Sequence, residues 1–334
     1  MNLLHQYIDR ETSRVTTERL IADWPIHCLY SSVRENVPLL FKAATSRRMS
    51  AILGYFKFDM PLTKWGTGCA SRMRAMGIDL AECLDRPHEL NTLRKLFERK
   101  IRYWQCRPMP QEMDRIVSPA DARLLVGSFD RHQALFIKEK FFSFYELIGE
   151  DKKQWITALE GGDFALFRLT PDKYHFNHVP VSGRVLDIYT IDGRCHSCNP
   201  GAVVSMVTPF SKNRRVITII DTDVPGGTGV GLVAMIEIVA MMIGDIVQCY
   251  STHGYEDPLD ILPGMFVERG CPKSLYRPGS SVDVLMFQRK RVLFSNDILL
   301  NMNRRDVISR YTRCFRSPLV ETDVKVRSEI GIKA

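Results

Sequence analysis

Apolar and polar residues follow two different periods along this chain. Up to about residue 110, apolar side chains recur at helical spacing, most clearly in residues 47–58 and 89–103. Beyond Pro108 and Pro110, which interrupt any helix, short apolar runs separated by turns are typical of β-strands. We therefore predict an α+β fold, with a helical N-terminal region over residues 1–110 and a compact, mainly antiparallel, β-rich catalytic domain over residues 111–334.

The β-rich part contains clear strand and turn patterns. Ser143 and Glu146 have the spacing of a capping box and predict the start of a helix. The glycine-rich stretch 223–231 does not fit a phosphate-binding loop and predicts a hairpin loop between two strands. The predicted strands are residues 122–126, 164–169, 184–191, 215–221, 232–241, 282–287 and 292–294.

The net charge and the cysteine content limit the possible binding partners and the cellular compartment. The net charge of +8 favours an acidic partner, such as an anionic membrane surface, nucleic acid or an acidic metabolite, without choosing among them. The nine scattered cysteines predict reduced thiols and an intracellular protein, and the Cys195-x-x-Cys198 spacing lacks the second cysteine pair of a zinc site. We predict neither a signal peptide nor a membrane-spanning helix, because the apolar stretch 230–243 is short and contains Glu237.

The basic residues of the helical region permit two interpretations. In residues 89–104 the apolar side chains fall near one helical face and the arginines and lysines mostly fall elsewhere. This pattern is typical of a packed helix with a solvated basic face, and equally of a surface that contacts anionic lipid head groups.

Three short segments carry side chains that are typical of catalysis. Asp121 follows Ser-Pro-Ala, His175 and His178 lie in Tyr-His-Phe-Asn-His-Val-Pro, and Ser280 follows Gly279. A serine hydroxyl becomes a nucleophile when a base such as histidine removes its proton, and a carboxylate can orient the imidazole. Taken singly, each of these residues is more often structural than catalytic.

The Gly279-Ser280-Ser281 tripeptide directly precedes a predicted buried strand. A Gly-Ser pair in this place is typical either of a plain turn or of a self-cleavage site. Cleavage would turn Ser280 into an electrophilic N-terminal group that no ordinary side chain offers. The tripeptide alone favours the turn, and the other two segments favour cleavage.

In order and surroundings, the three segments resemble the phosphatidylserine decarboxylase family. That family carries Ser-Pro-Ala-Asp-Gly, Tyr-His-Arg-x-His-x-Pro and Gly-Ser-Ser/Thr, which correspond here to residues 118–122, 174–180 and 279–281. Residues 324–331 also resemble its C-terminal Val-x-x-Gly-Glu-x-Ile-Gly. The resemblance covers nearly the whole chain, and the ordered set is specific although each motif alone is weak.

The resemblance implies that Ser280 is a cofactor precursor. His178, oriented by Asp121, would take the Ser280 hydroxyl proton, and the Ser280 oxygen would attack the carbonyl of Gly279. Cleavage between residues 279 and 280 would give a β chain, 1–279, and an α chain, 280–334, that begins with a covalent pyruvoyl group. The pyruvoyl carbonyl is the electron sink for decarboxylation. His175 is the candidate for protonating the product or orienting the substrate carboxylate, and no metal is implied.

The family also implies partners and a location. The expected substrate is phosphatidylserine and the product phosphatidylethanolamine, with a peripheral position on the cytoplasmic face of a membrane. The positive net charge agrees with an anionic membrane surface. The two cleaved chains are expected to stay together, a homodimer is expected by analogy with relatives, and no nucleic acid partner is expected.

Departures from the family pattern leave alternatives open. Ala122 replaces a glycine, Phe176 and Asn177 replace Arg-x, Val239 stands where glycine is common, and residues 270–279 only loosely follow Gly-x-Glu-x-Gly-x-Phe-x-x-Gly. The alternatives are a soluble pyruvoyl-dependent decarboxylase of a free amino acid, a non-processing lipid-binding relative and a serine hydrolase. The hydrolase is disfavoured because no Gly-x-Ser-x-Gly motif surrounds the serine. Ser281 has no assigned role.

Overall fold

The computed structural model of the chain describes residues 4–20, 23–46, 49, 58–59, 71, 73, 77–129, 141–206, 208–241, 245–279, 281–315 and 317–334. Ser280 and most of the helix predicted over residues 47–58 lie outside the described residues.

The helices of the described residues are short. They are Asp23–Cys28, Arg34–Asn36, Pro38–Ala44, Leu93–Phe97, Tyr103–Cys106, Phe144–Ile148, Lys153–Leu159, Pro200–Ser205, Asn296–Met302 and Arg310–Phe315, with a π-helical turn at Leu29–Val33. The helix predicted after Ser143 is confirmed. The long helix predicted over residues 89–103 is reduced to Leu93–Phe97, which begins where the Thr92 hydroxyl accepts a hydrogen bond of 3.1 Å from the amide of Lys95. No described helix is long and apolar enough to cross a membrane.

All seven predicted strands are present, with ends that differ by no more than two residues. The strands in chain order are β1 Gln6–Asp9, β2 Val15–Thr17, β3 Arg115–Val117, β4 Ala122–Ser128, β5 Asp163–Leu169, β6 Phe176–His178, β7 Gly183–Ile191, β8 Arg215–Asp221, β9 Leu232–Val239, β10 Ile246–Gln248, β11 Phe266–Val267, β12 Pro272–Tyr276, β13 Ser281–Phe287, β14 Val292–Phe294, β15 Thr322–Val324 and β16 Glu329–Lys333. The glycine-rich stretch 223–231 joins the antiparallel strands β8 and β9 as a hairpin loop, as predicted. The α+β class is therefore confirmed.

The largest sheet places the strand after Ser280 near its centre. Its order is β11-β7-β8-β9-β13-β5-β4-β15-β1-β2, and its neighbours are antiparallel except for β1 and β15. Strand β13 pairs with β9 on one side and with β5 on the other along its whole length. Successive side chains of a strand face opposite ways, so Val282 and Val284 enter one apolar core while Leu285 and Phe287 enter the other.

A small sheet brings two of the predicted site segments together. Its order is β10-β12-β6, in which His178 is paired with Pro272 and Asn177 with Ser274. Residues 174–180 therefore lie beside the stretch that leads into Gly279. A further small sheet has the order β14-β16-β3 and includes the C-terminal residues.

The helical N-terminal region also contains two short strands that the sequence pattern did not predict. Strands β1 and β2 extend the edge of the large sheet, where β1 pairs in parallel with β15. Ile8 is fully buried there, and a strand of four residues is too short to show a clear alternating pattern. The domain boundary at residue 110 stays a prediction.

Candidate active site

The predicted cleavage position lies between two strands that belong to different sheets. β12 ends at Tyr276 and β13 begins at Ser281, so the chain crosses from the small sheet to the centre of the large one within a few residues. Gly279 has a φ of 156°, a conformation that favours glycine over residues with a side chain. The structure therefore gives a physical reason for glycine before the proposed cleavage position.

His178 is held in one neutral tautomer. Its imidazole is fully buried at the end of β6, and Nδ1 lies 2.8 Å from the carbonyl oxygen of Gly270. A carbonyl only accepts, so Nδ1 carries the proton and Nε2 is an acceptor, which lies 3.0 Å from the hydroxyl of Tyr174. Burial lowers the pKa of His178 to about 3. The ring is thus kept in the neutral form that a general base requires.

A chain of hydrogen bonds leads to His178 through two tyrosines. The hydroxyl of Tyr255 lies 2.7 Å from that of Tyr174 and accepts a hydrogen bond of 3.1 Å from the amide of Ile101. The hydroxyl of Tyr255 also donates to the carbonyl of Ile101 at 2.9 Å, so its single proton is shared between that carbonyl and the oxygen of Tyr174. Tyr255 therefore anchors Tyr174, and Tyr174 is the donor to Nε2 of His178.

Asp121 is buried but is paired with an arginine rather than with histidine. Arg107 donates to it twice, from Nε to Oδ1 at 3.0 Å and from Nη2 to Oδ2 at 2.7 Å, and the amide of Val326 donates to Oδ1 at 2.8 Å. Burial alone would raise the pKa of Asp121, but the charge and hydrogen bonds of Arg107 outweigh it and lower the pKa to about 2. Asp121 is therefore a fixed anion.

The expected direct contact between Asp121 and His178 is absent among the described residues. The partners of the imidazole are Gly270 and Tyr174, and the orienting role assigned to the carboxylate is filled by the Gly270 carbonyl. The first two motifs do meet through the backbone, because the amide of His178 donates to the carbonyl of Pro119 at 2.7 Å. Asp121 influences His178 through its charge, which favours the imidazolium form.

His175 is buried without a hydrogen-bond partner. Its ring stacks on Phe97 with centroids 3.4 Å apart, and neither ring nitrogen has a partner in the described part of the chain. Burial, and then the positive charge of Arg99, lower the pKa of His175 to about 3. Buried polar atoms are normally satisfied, so two ring nitrogens without a partner are unusual for a histidine at this depth.

Several residues that shape the site were missed from the sequence. Tyr174 belongs to the histidine motif, but the motif does not reveal a role for its hydroxyl. The sequence gives no role to Gly270 or Arg107 either. Glu237 was noted only because it interrupts an apolar run. A carboxylate inside a strand-like apolar run is itself a signal, since a buried charge requires a partner.

A group of residues with metal-binding side chains lies elsewhere, at the edge of the large sheet. In the described part of the chain, His5, Glu18 and Glu321 are close enough to share an ion. Arg168 donates to Glu18 at 2.9 Å and to Glu321 at 2.8 Å. Because a cation already holds both carboxylates, this group is an ion-pair network.

Comparison with known proteins assigns the chain to a class of enzymes, the carboxy-lyases. The family model of phosphatidylserine decarboxylase matches residues 93–306, which is more than half of the chain. The chain therefore belongs to the phosphatidylserine decarboxylase family. The resemblance inferred from the three segments is confirmed.

Individual relatives match over most of the chain. The phosphatidylserine decarboxylase proenzyme of Ruminiclostridium cellulolyticum is 27% identical over 297 residues, covering 88% of this chain and 91% of the relative. The proenzyme of Chlamydia trachomatis serovar D is 28% identical over 294 residues, covering 88% and 90%. Phosphatidylserine decarboxylase proenzyme 2 of Komagataella phaffii is 28% identical over 343 aligned positions, covering 99% of this chain and 30% of that longer protein.

Proposed function

We propose that this chain cleaves itself between Gly279 and Ser280 and then decarboxylates phosphatidylserine to phosphatidylethanolamine. The observation that carries the proposal is the environment of His178, a buried neutral imidazole with Nε2 as an acceptor, beside the strand that leads to Gly279. The printed names of the relatives, which describe proenzymes of phosphatidylserine decarboxylase, support the same reaction.

In the cleavage step, His178 serves as the base for Ser280. Nε2 takes the hydroxyl proton, and the Ser280 oxygen bonds to the carbonyl carbon of Gly279. The amide C–N bond then breaks as the leaving nitrogen takes that proton back from the imidazolium, which gives an ester and a free amine. Elimination of the ester releases residues 1–279 with a free carboxylate, and hydrolysis with loss of ammonia leaves the pyruvoyl group on residue 280. Asp121 stabilises the imidazolium that forms transiently, since its charge lies in a buried region of low polarity.

The residues around the site fit a pyruvoyl group and an amine substrate. This group, when formed, supplies a carbonyl that draws electrons from the bond between the substrate Cα and its carboxylate. The two unpartnered nitrogens of His175 are buried polar atoms of the kind that a substrate satisfies. Because burial keeps His175 neutral, its N–H is suited to orienting the substrate carboxylate before CO2 leaves.

The topology supports two chains that remain associated after cleavage. Strand β13 belongs to the 55-residue α chain and is paired on both sides with β5 and β9 of the β chain. Separation would expose both faces and both edges of a fully buried strand.

Exposed apolar side chains in the N-terminal region support a membrane-surface location. Trp24 is 75% exposed and Leu39 79% exposed, in helices that also carry basic residues such as Lys42. Aromatic and aliphatic side chains beside positive charges are typical of surfaces that enter the head-group region of an anionic bilayer.

The cleavage proposal is tested by denaturing electrophoresis and intact mass of the purified chain. We expect two pieces, residues 1–279 and a 55-residue fragment that is blocked to Edman sequencing. A chain that stays intact after long incubation would overturn the pyruvoyl proposal and favour a non-processing relative.

The substrate is tested by comparing CO2 release from phosphatidylserine vesicles with release from free serine. Release from vesicles alone supports the lipid substrate, and release from free serine alone supports the soluble alternative. In vesicle binding, the double variant Trp24→Ala and Leu39→Ala should bind anionic vesicles more weakly. Leu300→Ala, which removes a side chain 63% exposed in a different helix, is the matched control and should bind like the unmodified chain.

A further inference from the structure

One buried tyrosine joins the chain on either side of the cleavage position. Tyr276 ends β12, and its hydroxyl lies 2.9 Å from the carbonyl oxygen of Val282 and donates to Oδ1 of Asp283 at 2.7 Å. Tyr276 and Asp283 are both buried. A hydrogen bond thus links the last residue of β12 to the start of β13, with Gly279 in the segment between them.

The position of Tyr276 is itself fixed. Its hydroxyl accepts a hydrogen bond of 3.0 Å from the amide of Ile238, and its own amide donates to the carbonyl of His175 at 3.1 Å. The tyrosine is therefore tied to β9 and to the residue that precedes β6. It lies in residues 270–279, where the chain follows the family pattern only loosely.

Asp283 lies among buried charges that leave it a neutral acid. It is directly opposite Glu237 in the register of β13 and β9, and Lys273 Nζ donates to Oε2 of Glu237 at 2.6 Å. Two carboxyl groups and one ammonium group buried together leave one carboxyl group without a counter-ion. That group is Asp283, whose Oδ2 is buried without a partner in the described part of the chain. Burial and the charge of Glu237 raise its pKa well above the usual range.

The other side chains around Asp283 add no further charge. Asn177 donates to Oδ1 from Nδ2 at 3.3 Å, and Phe167 is its apolar neighbour on β5. Cys249, beside Glu237 and Lys273, has its thiol pKa raised to about 12, first by burial, and remains protonated. Tyr276 likewise has a raised pKa, because of burial and the nearby carboxyl groups. Among the residues that the structure describes, the charges that face this position are therefore those of the Glu237–Lys273 pair.

We propose that Tyr276 and the neutral Asp283 form a clamp that closes the chain around the Gly279–Ser280 bond and holds that bond in position for self-cleavage. The inference rests on the proposed function. Both are positioning residues, since fixing the reacting groups relative to one another removes part of the entropic cost of reaction. After cleavage Tyr276 belongs to the β chain and Asp283 to the α chain, so the same hydrogen bond then joins the two chains.

The test follows self-cleavage of freshly synthesised full-length chain over time, by electrophoresis and intact mass. Tyr276→Phe and Asp283→Leu remove the hydrogen bond, and we expect each to slow cleavage by about tenfold or more. Asp283→Asn is the matched control: it stays neutral, keeps an oxygen acceptor and should cleave within about threefold of the unmodified chain.

Circular dichroism and thermal unfolding of each variant separate positioning from a loss of folding. If Asp283→Leu melts at a lower temperature but its folded fraction cleaves at the normal rate, the clamp is overturned. It is overturned equally if Asp283→Asn cleaves as slowly as Asp283→Leu. If the unmodified chain does not cleave under any condition, the proposed function fails first and the clamp fails with it.

Discussion

Tyr174 and His178 are joined by a hydrogen bond of 3.0 Å between the phenol oxygen and Nε2. Because Nδ1 of the same ring donates to Gly270, the tyrosine is the donor in this pair. Tyr174 therefore occupies the nitrogen that takes the Ser280 proton in the proposed cleavage. In the proposed mechanism, Tyr174 keeps Nε2 of the imidazole as an acceptor before the serine hydroxyl takes that place.

Replacing Tyr174 by phenylalanine removes this donor from a buried site. We expect self-cleavage to slow by about fivefold, because a typical hydrogen bond contributes about 1 kcal/mol. The rate is measured by electrophoresis of freshly made protein. Tyr255→Phe, one step further along the hydrogen-bond chain, is the control and should have a smaller effect. Equal rates for Tyr174→Phe and the unmodified chain would show that the orientation of His178 does not depend on the tyrosine.

Gly270→Ala tests the other partner of His178. Gly270 has a φ of +81°, and an added Cβ would contact the sulfur of Met109. Gly264 has a φ of +91° with open space around it. Gly264→Ala therefore measures only the cost of placing an alanine at a positive φ, without a steric clash. We expect Gly264→Ala to lose about 1 kcal/mol of unfolding free energy. Gly270→Ala should lose more and should also cleave slowly, because the carbonyl that orients His178 moves.

The identity of the cleavage residue is tested by two adjacent substitutions. Ser280→Ala removes the nucleophile, and we expect an intact chain without decarboxylase activity. Ser281→Ala is the neighbouring control, and we expect it to be cleaved at the normal position, as read from the masses of both fragments. Normal cleavage of Ser280→Ala would show that the cleavage position is assigned wrongly.

His175→Ala should separate the two reactions. We expect it to cleave itself, because neither ring nitrogen of His175 has a hydrogen-bond partner among the described residues, and its backbone contact to Tyr276 survives the substitution. Decarboxylation should fall by about a hundredfold or more, a loss typical of a missing acid–base or orienting group. The measurement compares the fragment pattern with CO2 release from the same preparation. Failure to cleave would mean that the roles of His175 and His178 are exchanged.

Stability should decrease as the pH falls below 6.5. Burial lowers the pKa of His175 and of His178 from 6.5 to about 3, so between these values the unfolded chain binds more protons than the folded one. Unfolding free energy then falls with decreasing pH by up to about 1.4 kcal/mol per pH unit for each histidine. Above pH 6.5 both histidines are neutral in both states and contribute no pH dependence.

Asp121 extends the acid sensitivity to lower pH. Its folded pKa of about 2 lies below the ordinary value of 3.8, so its stabilising contribution is complete above about pH 4 and is lost as the pH falls toward 2. Urea unfolding from pH 7 to pH 4 checks the histidine contribution, and His175→Phe is the matched variant. A pH dependence of the same slope in His175→Phe would show that His175 is not a buried neutral base.

The secondary structure of the β-rich part was largely predictable from the sequence. Strands β8 and β14 have the predicted ends, because apolar runs bounded by turns mark buried strands directly. The same local reasoning did not find β1, which is short and pairs with β15. It also overestimated the helix around Leu93–Phe97, which ends at Glu98 after five residues.

The identity and order of the chemical groups were determined by the sequence itself. Asp121, His175, His178 and Gly279 are recognisable from their immediate neighbours, because each motif is local and covalently fixed. The tertiary structure decided which groups touch. Asp121 is paired with Arg107, His178 with Gly270 and Tyr174, and Asp283 with Tyr276. Several of these contacts join residues from different strands and loops. They depend on the register of the strands within the sheets, and no local sequence pattern encodes that register.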